Sequence, residues 1–280
     1  ASLDRIDEIL QTQPQIVSPA KPKISGRMKG DLVFENVDFR YRPDLPLVLS
    51  DISFSLNAGE RIGIVGPTGS GKTTLCHLIP RLLDVTAGHV LVDGVDVRRH
   101  SLEWLRSNMA VVPQDAFLFS GSVRENLTFG RTDATLEQIV AATQAAHLYD
   151  TIRKFPHGFD TLIGERGVTL SGGQKQRLAL ARALLLSAPM LVMDDPLSQV
   201  DVETAAIILS HVEKVWGVRT TVMVSHRINQ VRDADLIMVL ENGRISGLGT
   251  HDELVRRKGF YQEMYYWQEI EEGRYERVKG

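Results

Sequence analysis

Gly66-Pro67-Thr68-Gly69-Ser70-Gly71-Lys72-Thr73 fits the pattern G-x-x-x-x-G-K-[ST] at every fixed position, a spacing that suits phosphate chemistry. Its glycines let successive backbone N–H groups turn inward as an anion-binding nest at the start of a helix, and Lys72 adds a point charge for the β- and γ-phosphates. Thr73 offers a hydroxyl to Mg²⁺, and Thr74 follows in the same turn. A magnesium-nucleotide site also needs a carboxylate at the end of a neighbouring strand. The apolar run Leu191-Val192-Met193 ends in Asp194, with Asp195 immediately after it. Asp194 could instead cap a following helix, but Pro196 and the second acid intervene. Cys76, one helical turn past the loop, fits a small core residue better than a functional thiol.

These residues need buried strands ending in loops, and the chain supplies them. Phe34, Val37 and Phe39 alternate with polar residues, 47–56 is rich in apolar positions, and 61–66 is a short apolar run closed by glycine, all read as strands. A helix is expected over 71–83, short strands at 89–92 and 109–112, and a helix between them at 102–107. Residues 115–186 carry helical periodicity, as at 136–147, with no convincing strand, and read as a helical insertion. Strands return at 190–193, 220–224 and 236–240, separated by helical stretches at 202–215 and 228–234, the pattern of a parallel α/β sheet.

Composition narrows the function classes. The 280 residues are 43% apolar and 24% charged, with 32 Lys+Arg against 35 Asp+Glu, so no global positive field is available for a nucleic-acid backbone and no nucleic-acid partner is expected. A single cysteine excludes an internal disulfide and a structural zinc site, and fits a reducing, cytosolic compartment. No apolar stretch reaches the length of a membrane-spanning helix. The chain starts at Ala1 without an initiator Met or a signal peptide and reads as a piece of a longer protein.

Leu170-Ser171-Gly172-Gly173-Gln174, ahead of an alanine-rich helix, brings the chain into resemblance with the ATP-binding cassette (ABC) ATPases over about residues 31–268. Other segments resemble family motifs in the family's order. Tyr41 resembles the aromatic residue that stacks on adenine, and Gln114 the glutamine that touches magnesium and communicates with a membrane domain. Ser198-Gln199-Val200-Asp201 resembles the loop that crosses to a partner subunit, and His226 the switch histidine of the γ-phosphate. Singly, Tyr41 also fits an edge aromatic, Gln114 a turn residue and His226 a satisfied histidine; jointly and in order they fit the family. The resemblance implies an α/β phosphate-loop NTPase fold, with a RecA-like core, an antiparallel β subdomain and an α-helical subdomain at about 115–186. It implies ATP and Mg²⁺ as cofactors, the metal held by Thr73, Gln114 and Asp194. ATP is then sandwiched head to tail between two domains, with the partner's nucleotide received by Ser171, Gly172, Gly173, Gln174 and Asp201. Lys72, Gln114, Asp195 and His226 are the expected catalytic set.

Within the family, Gly164-Glu165-Arg166-Gly167 and Ser122-Val123-Arg124-Glu125-Asn126-Leu127 resemble exporters, in which the acidic residue contacts the membrane domain. Residues 1–30 resemble the linker after a last transmembrane helix, and 269–280 form a charged tail. The resemblance is thus to the nucleotide-binding domain of an exporter, at the cytoplasmic face of a membrane such as the bacterial inner membrane. Asp195 departs from the family's usual glutamate, and the shorter acid resembles the degenerate half of heterodimeric exporters. A slow homodimer and an ATP-sensing module that needs no turnover remain alternatives. A soluble repair or translation factor fits less well with the charge balance and the Glu165 segment.

Overall fold

The computed structural model describes residues 2–23, 26–164, 167–216, 219–271 and 273. A charged helix, α1 (Ser2–Gln11), comes first. The alternating apolar residues then form β1 (Leu32–Phe39) and β2 (Leu49–Leu56), an antiparallel pair whose buried Phe34 and Phe54 rings stack 4.7 Å apart. β3 (Arg61–Val65) runs into the glycine-rich loop and α2 (Lys72–Leu78). That helix ends short of the expected residue 83, because Pro80 follows and Arg81 takes a left-handed φ of 52°. β4 (Ala87–Val92) and β5 (Val95–Asp96) complete a four-stranded sheet in the order β2-β1-β4-β5. α3 (Leu102–Ser107), capped by Ser101, leads into β6 (Met109–Val112).

The segment expected to be purely helical contains β7 (Gly121–Ser122), α4 (Val123–Leu127), α5 (Leu136–Ala145), α6 (Tyr149–Arg153), β8 (Leu162–Ile163) and α7 (Gly172–Leu185). β7 and β8 pair antiparallel as Gly121↔Ile163 and Ser122↔Leu162, which corrects the strand-free reading. Two-residue strands are too short to leave an alternating pattern in a sequence.

β9 (Met190–Asp194), α8 (Val202–Trp216), β10 (Thr220–Val224), β11 (Leu236–Glu241), β12 (Arg244–Gly249), α9 (His251–Arg256) and α10 (Phe260–Glu271) follow. The helix expected at 228–234 is only a 3₁₀ turn, Ile228–Gln230. The backbone there closes three-residue turns, Gln230 N–H to Arg227 O and Ala234 N–H to Val231 O, instead of a continuous helical ladder. β12, α9 and α10 form with no sequence expectation behind them.

The larger sheet has the order β12-β11-β3-β10-β9-β6, parallel throughout except for the antiparallel edge strand β12. Both of its faces are covered, which is why its strands read as unbroken apolar runs. Met190, Val192, Val222, Val224, Met238 and Leu240 face a core shared with the antiparallel sheet and α2. Leu191, Met193, Met223, Ile237 and Val239 face the core beneath α5, α7 and α8. The C-terminal ends of β3, β9 and β10 therefore open on one side of the sheet, where ligands bind in open parallel α/β sheets. Among the described residues no helix is long and apolar enough to cross a membrane.

Candidate functional site

A cavity of about 300 Å³ at those strand ends is lined by Tyr41, Thr68, Gly69, Gly71, Lys72, Thr73, Thr74, Gln114, Asp194, Asp195 and His226. Residues from five separate stretches of chain thus meet in one place, each delivered by a strand end or the helix that follows it. Gly66, Pro67 and Ser70 shape the loop from behind. At Gly66 a side chain would run into the Leu240 carbonyl, and the Gly66 φ of 154° already disfavours an L-residue, so the glycine is required by close approach as well as by conformation. Gly71, with φ 104°, turns the chain into α2.

Lys72 is buried, and its ammonium donates to the carbonyls of Gly66 at 2.9 Å and Pro67 at 2.8 Å. Burial lowers its pKa, while the charges of Asp194 and Asp195 oppose that shift. Tyr41 is 54% exposed; its ring packs edge-on against Phe39 and its hydroxyl shares a 2.9 Å hydrogen bond with Thr74 Oγ1, which offers a fixed, open aromatic face at the cavity mouth. Cys76 is buried and burial drives its thiol pKa up, so it is an inert core residue, as its position suggested.

Asp194 and Asp195 are each 5% exposed. Asp195 sits in the left-handed region with φ 48°, its N–H bonded to Val224 O on the neighbouring strand at 3.0 Å. Burial pushes its carboxyl above the ordinary carboxylate range; His226 pulls the other way, and Asp194 adds to the rise. Magnesium takes octahedral oxygen ligands, commonly one or two carboxylates together with other oxygens from hydroxyls or amides, phosphates and water. The Thr73 hydroxyl, the Gln114 amide and the Asp194 carboxylate on this wall could supply such a set.

The segment 170–174 that carries the family resemblance, the signature, stands elsewhere. Ser171, Gly172, Gly173, Arg177, Gln199, Val200 and Asp201 line a second cavity of about 340 Å³. Ser171 and Gln174 cap α7 reciprocally: Gln174 N–H donates to Ser171 Oγ at 3.3 Å and Ser171 N–H to Gln174 Oε1 at 2.9 Å. The Gln199 amide lies directly over Gly172, and the Gln199 carbonyl would stand 2.8 Å from a side chain at Gly173. Asp201 accepts the Thr204 N–H at 2.8 Å at the start of α8, which holds its carboxyl below the ordinary range. One chain therefore presents two separate groups of the residues expected at the site, with Tyr41, the loop, Gln114, Asp194, Asp195 and His226 in one and the signature with Asp201 in the other. Glu165 lies outside the described residues.

Sequence reasoning missed the side chains that tie the two groups together. Gln176 is 2% exposed; its amide donates to Ser198 Oγ at 2.7 Å and contacts Gln114 O at 3.5 Å, while its carbonyl accepts Gln199 N–H at 2.8 Å. Arg227 donates to Val200 O at 2.8 Å, linking the His226 loop to the crossing loop. The available signal was a glutamine on the buried side of a helix that otherwise buries Leu and Ala. A larger cavity of about 510 Å³, at the N-terminal ends of β3 and β10, includes none of the expected site residues.

Residues 49–198 match the family described as ABC transporter. The chain is 43% identical over 241 residues to the ATP-dependent lipid A-core flippase of Methylobacillus flagellatus, covering 86% of this chain and 41% of that protein. It is 42% identical over 252 residues to the mitochondrial iron-sulfur clusters transporter ATM1 of Gibberella zeae, covering 89% of this chain and 36% of that protein. Among solved structures, a bacterial Atm1-family ABC exporter with ATP bound superimposes with a TM-score of 0.89 at 36% identity, over 95% of this chain and 46% of that one. The chain spans less than half the length of each.

Proposed function

This chain belongs to the ABC transporter family, and on that premise we propose that it is the nucleotide-binding domain of an exporter, one of two domains that close head to tail on MgATP. Residues 1–30 are the linker from the last membrane helix, 31–268 the ATPase domain with its helical subdomain at about 115–186, and 269–280 a charged tail. Tyr41 supports adenine, the loop from Gly66 to Thr74 surrounds the phosphates, and Thr73, Gln114 and Asp194 hold the metal. Bound there, Mg²⁺ neutralises the charge that grows on the phosphates during phosphoryl transfer. The two groups of site residues in separate cavities support a site completed by a partner, which brings its own signature to this phosphate loop. Closure passes to the membrane domain through Gln114 and Glu165, and the whole works at the cytoplasmic face of its membrane.

The finer part of the proposal concerns hydrolysis at this chain's own loop. Asp195 is the buried acid beside Asp194 and His226 and is one methylene shorter than glutamate. A general base acts within about 2.6–3.2 Å of its proton, and a misplacement of about 1 Å can cost on the order of a hundredfold in rate. Asp195 is therefore an impaired base, and the partner is a non-identical subunit carrying a glutamate and completed by this chain's intact signature. This single residue carries the heterodimer reading. His226, retained on the same wall, favours a second one, a slow homodimer in which Asp195 acts as a weaker base.

Steady-state MgATP hydrolysis separates them, using the chain at dimerising concentration beside Asp195→Glu, with Lys72→Ala as the inactive control. Turnover near background that rises at least about tenfold in Asp195→Glu supports the impaired site. Brisk turnover that the glutamate leaves unchanged makes Asp195 a working base and returns the homodimer.

A further inference from the structure

His226 is exposed to the cavity, so its imidazole goes where the backbone of residues 225–228 carries it. That backbone is fixed on two sides. From the core, Ser225 N–H donates to Ile64 O at 3.1 Å, Ser225 Oγ donates to Gln230 Oε1 at 2.8 Å, and Arg227 N–H donates to Ser225 Oγ at 2.9 Å. From the far end of the domain comes Gln268, on α10. Its Nε2 donates to His226 O at 2.8 Å, and its Oε1 accepts Ile228 N–H at 2.8 Å. One primary amide thus satisfies the carbonyl and the N–H that flank Arg227, pairing with the loop as a strand neighbour would.

The helix that carries Gln268 is itself anchored. Tyr261 is 3% exposed and its hydroxyl lies 2.8 Å from His251 Nδ1; Gln262 donates to Val255 O at 2.7 Å; Met264 and Tyr265 pack on the core beneath the parallel sheet. A side chain from a fixed helix that meets both polar groups of a loop sets that loop's position, whereas a single bond would leave it a hinge.

We propose that Gln268 is a positioning residue for the switch histidine, making helix α10 part of the hydrolytic machinery of this domain. The proposal rests on the reading of His226 as the γ-phosphate contact. Loss of the amide lets the 225–228 backbone relax, and the imidazole drifts from the place where it meets the phosphate. Nucleotide affinity changes little, since Gln268 lies outside the residues that line the nucleotide cavity.

The test uses two substitutions in the Asp195→Glu chain. Gln268→Leu keeps the size and removes both bonds; Gln268→Glu keeps the acceptor for Ile228 N–H but sets a carboxylate oxygen against His226 O. Both are expected to lower kcat by about tenfold or more, within the roughly hundredfold that a 1 Å displacement can produce, with the KM for ATP changed less than about twofold. In a His226→Ala background Gln268→Leu is expected to add no further loss, the signature of action through the histidine. The His226 ring resonances of the histidine-labelled wild-type chain should move or broaden in Gln268→Leu while those of His77 and His89 stay in place. An unchanged kcat, a loss that persists undiminished without His226, or unmoved His226 resonances would each overturn the proposal. If His226→Ala alone leaves turnover intact, the switch reading fails, and the resonances still decide whether Gln268 sets the ring.

Discussion

Replacing Asp195 by glutamate is expected to lower the thermal stability of the domain even as it raises turnover, and the two effects have separate origins. Asp195 occupies a left-handed backbone conformation at φ 48° and is 5% exposed. That conformation costs an L-residue about 1–2 kcal/mol, a strain that Asp and Asn tolerate better than most because their short polar side chains bond locally. Glutamate forfeits that tolerance. At about 2–4 °C per kcal/mol for a domain approaching this size, the melting temperature should fall by roughly 2–8 °C. Asp195→Asn keeps the backbone preference and removes the charge, so it should be at least as stable as wild type. The pH dependence has a definite sign. Burial raises the folded-state pKa of Asp195, so the stabilising form is the protonated one, present below the unfolded pKa and lost as pH rises through the folded one. The advantage of Asn over Asp should therefore be largest near neutral pH and shrink in acid. Differential scanning fluorimetry of the three chains from pH 4 to 8, without nucleotide, reads both trends. A glutamate variant that melts at or above wild type would refute the strain argument, and an Asn advantage that grows in acid would refute the assignment of the buried charge.

Other outcomes follow from single contacts. Gly173→Ala should destabilise by about 1–3 kcal/mol in urea unfolding, because its Cβ meets the Gln199 backbone carbonyl at 2.8 Å. Gly172→Ala meets only the movable Gln199 amide, and Gln199→Ala should restore most of its smaller loss. Tyr41→Ala should weaken binding of a fluorescent ATP analogue by the roughly 1–3 kcal/mol typical of base stacking, while Tyr41→Phe, which loses only the bond to Thr74, should bind nearly as wild type. Burial alone would raise the Asp96 pKa, but hydrogen bonds from Arg98 and His89 outweigh it and hold the carboxyl at about 2. Its contribution is complete above the ordinary Asp pKa of about 4 and is lost as pH falls through the folded value, so the gap between the urea midpoints of wild type and Asp96→Asn should begin to close near pH 4 and vanish only at about pH 2.

The phosphate loop, the strands around it and the acids at β9 were legible because each rests on a local rule: φ > 0 at glycine, a buried strand reading as an apolar run, a polar residue where that run stops. The β7–β8 pair and the 3₁₀ turn at Ile228–Gln230 were not, since neither is long enough for its period to register. Helix α10, mixed aromatic and polar in sequence, gave no sign of its role.

Residue type and order along the chain thus determined the family, the fold class and most of the side chains that line the candidate nucleotide cavity. Only the tertiary structure decided which of them share a cavity: it set the signature apart from the phosphate loop, laid the Gln199 amide over Gly172, and brought Gln176 and Gln268 against backbones dozens of residues away. The physical reason is that local pattern records what a residue does to its own backbone and which way it faces. A buried amide pairing with a distant peptide group leaves no period in the sequence, because its partner is chosen by how the sheets and helices pack.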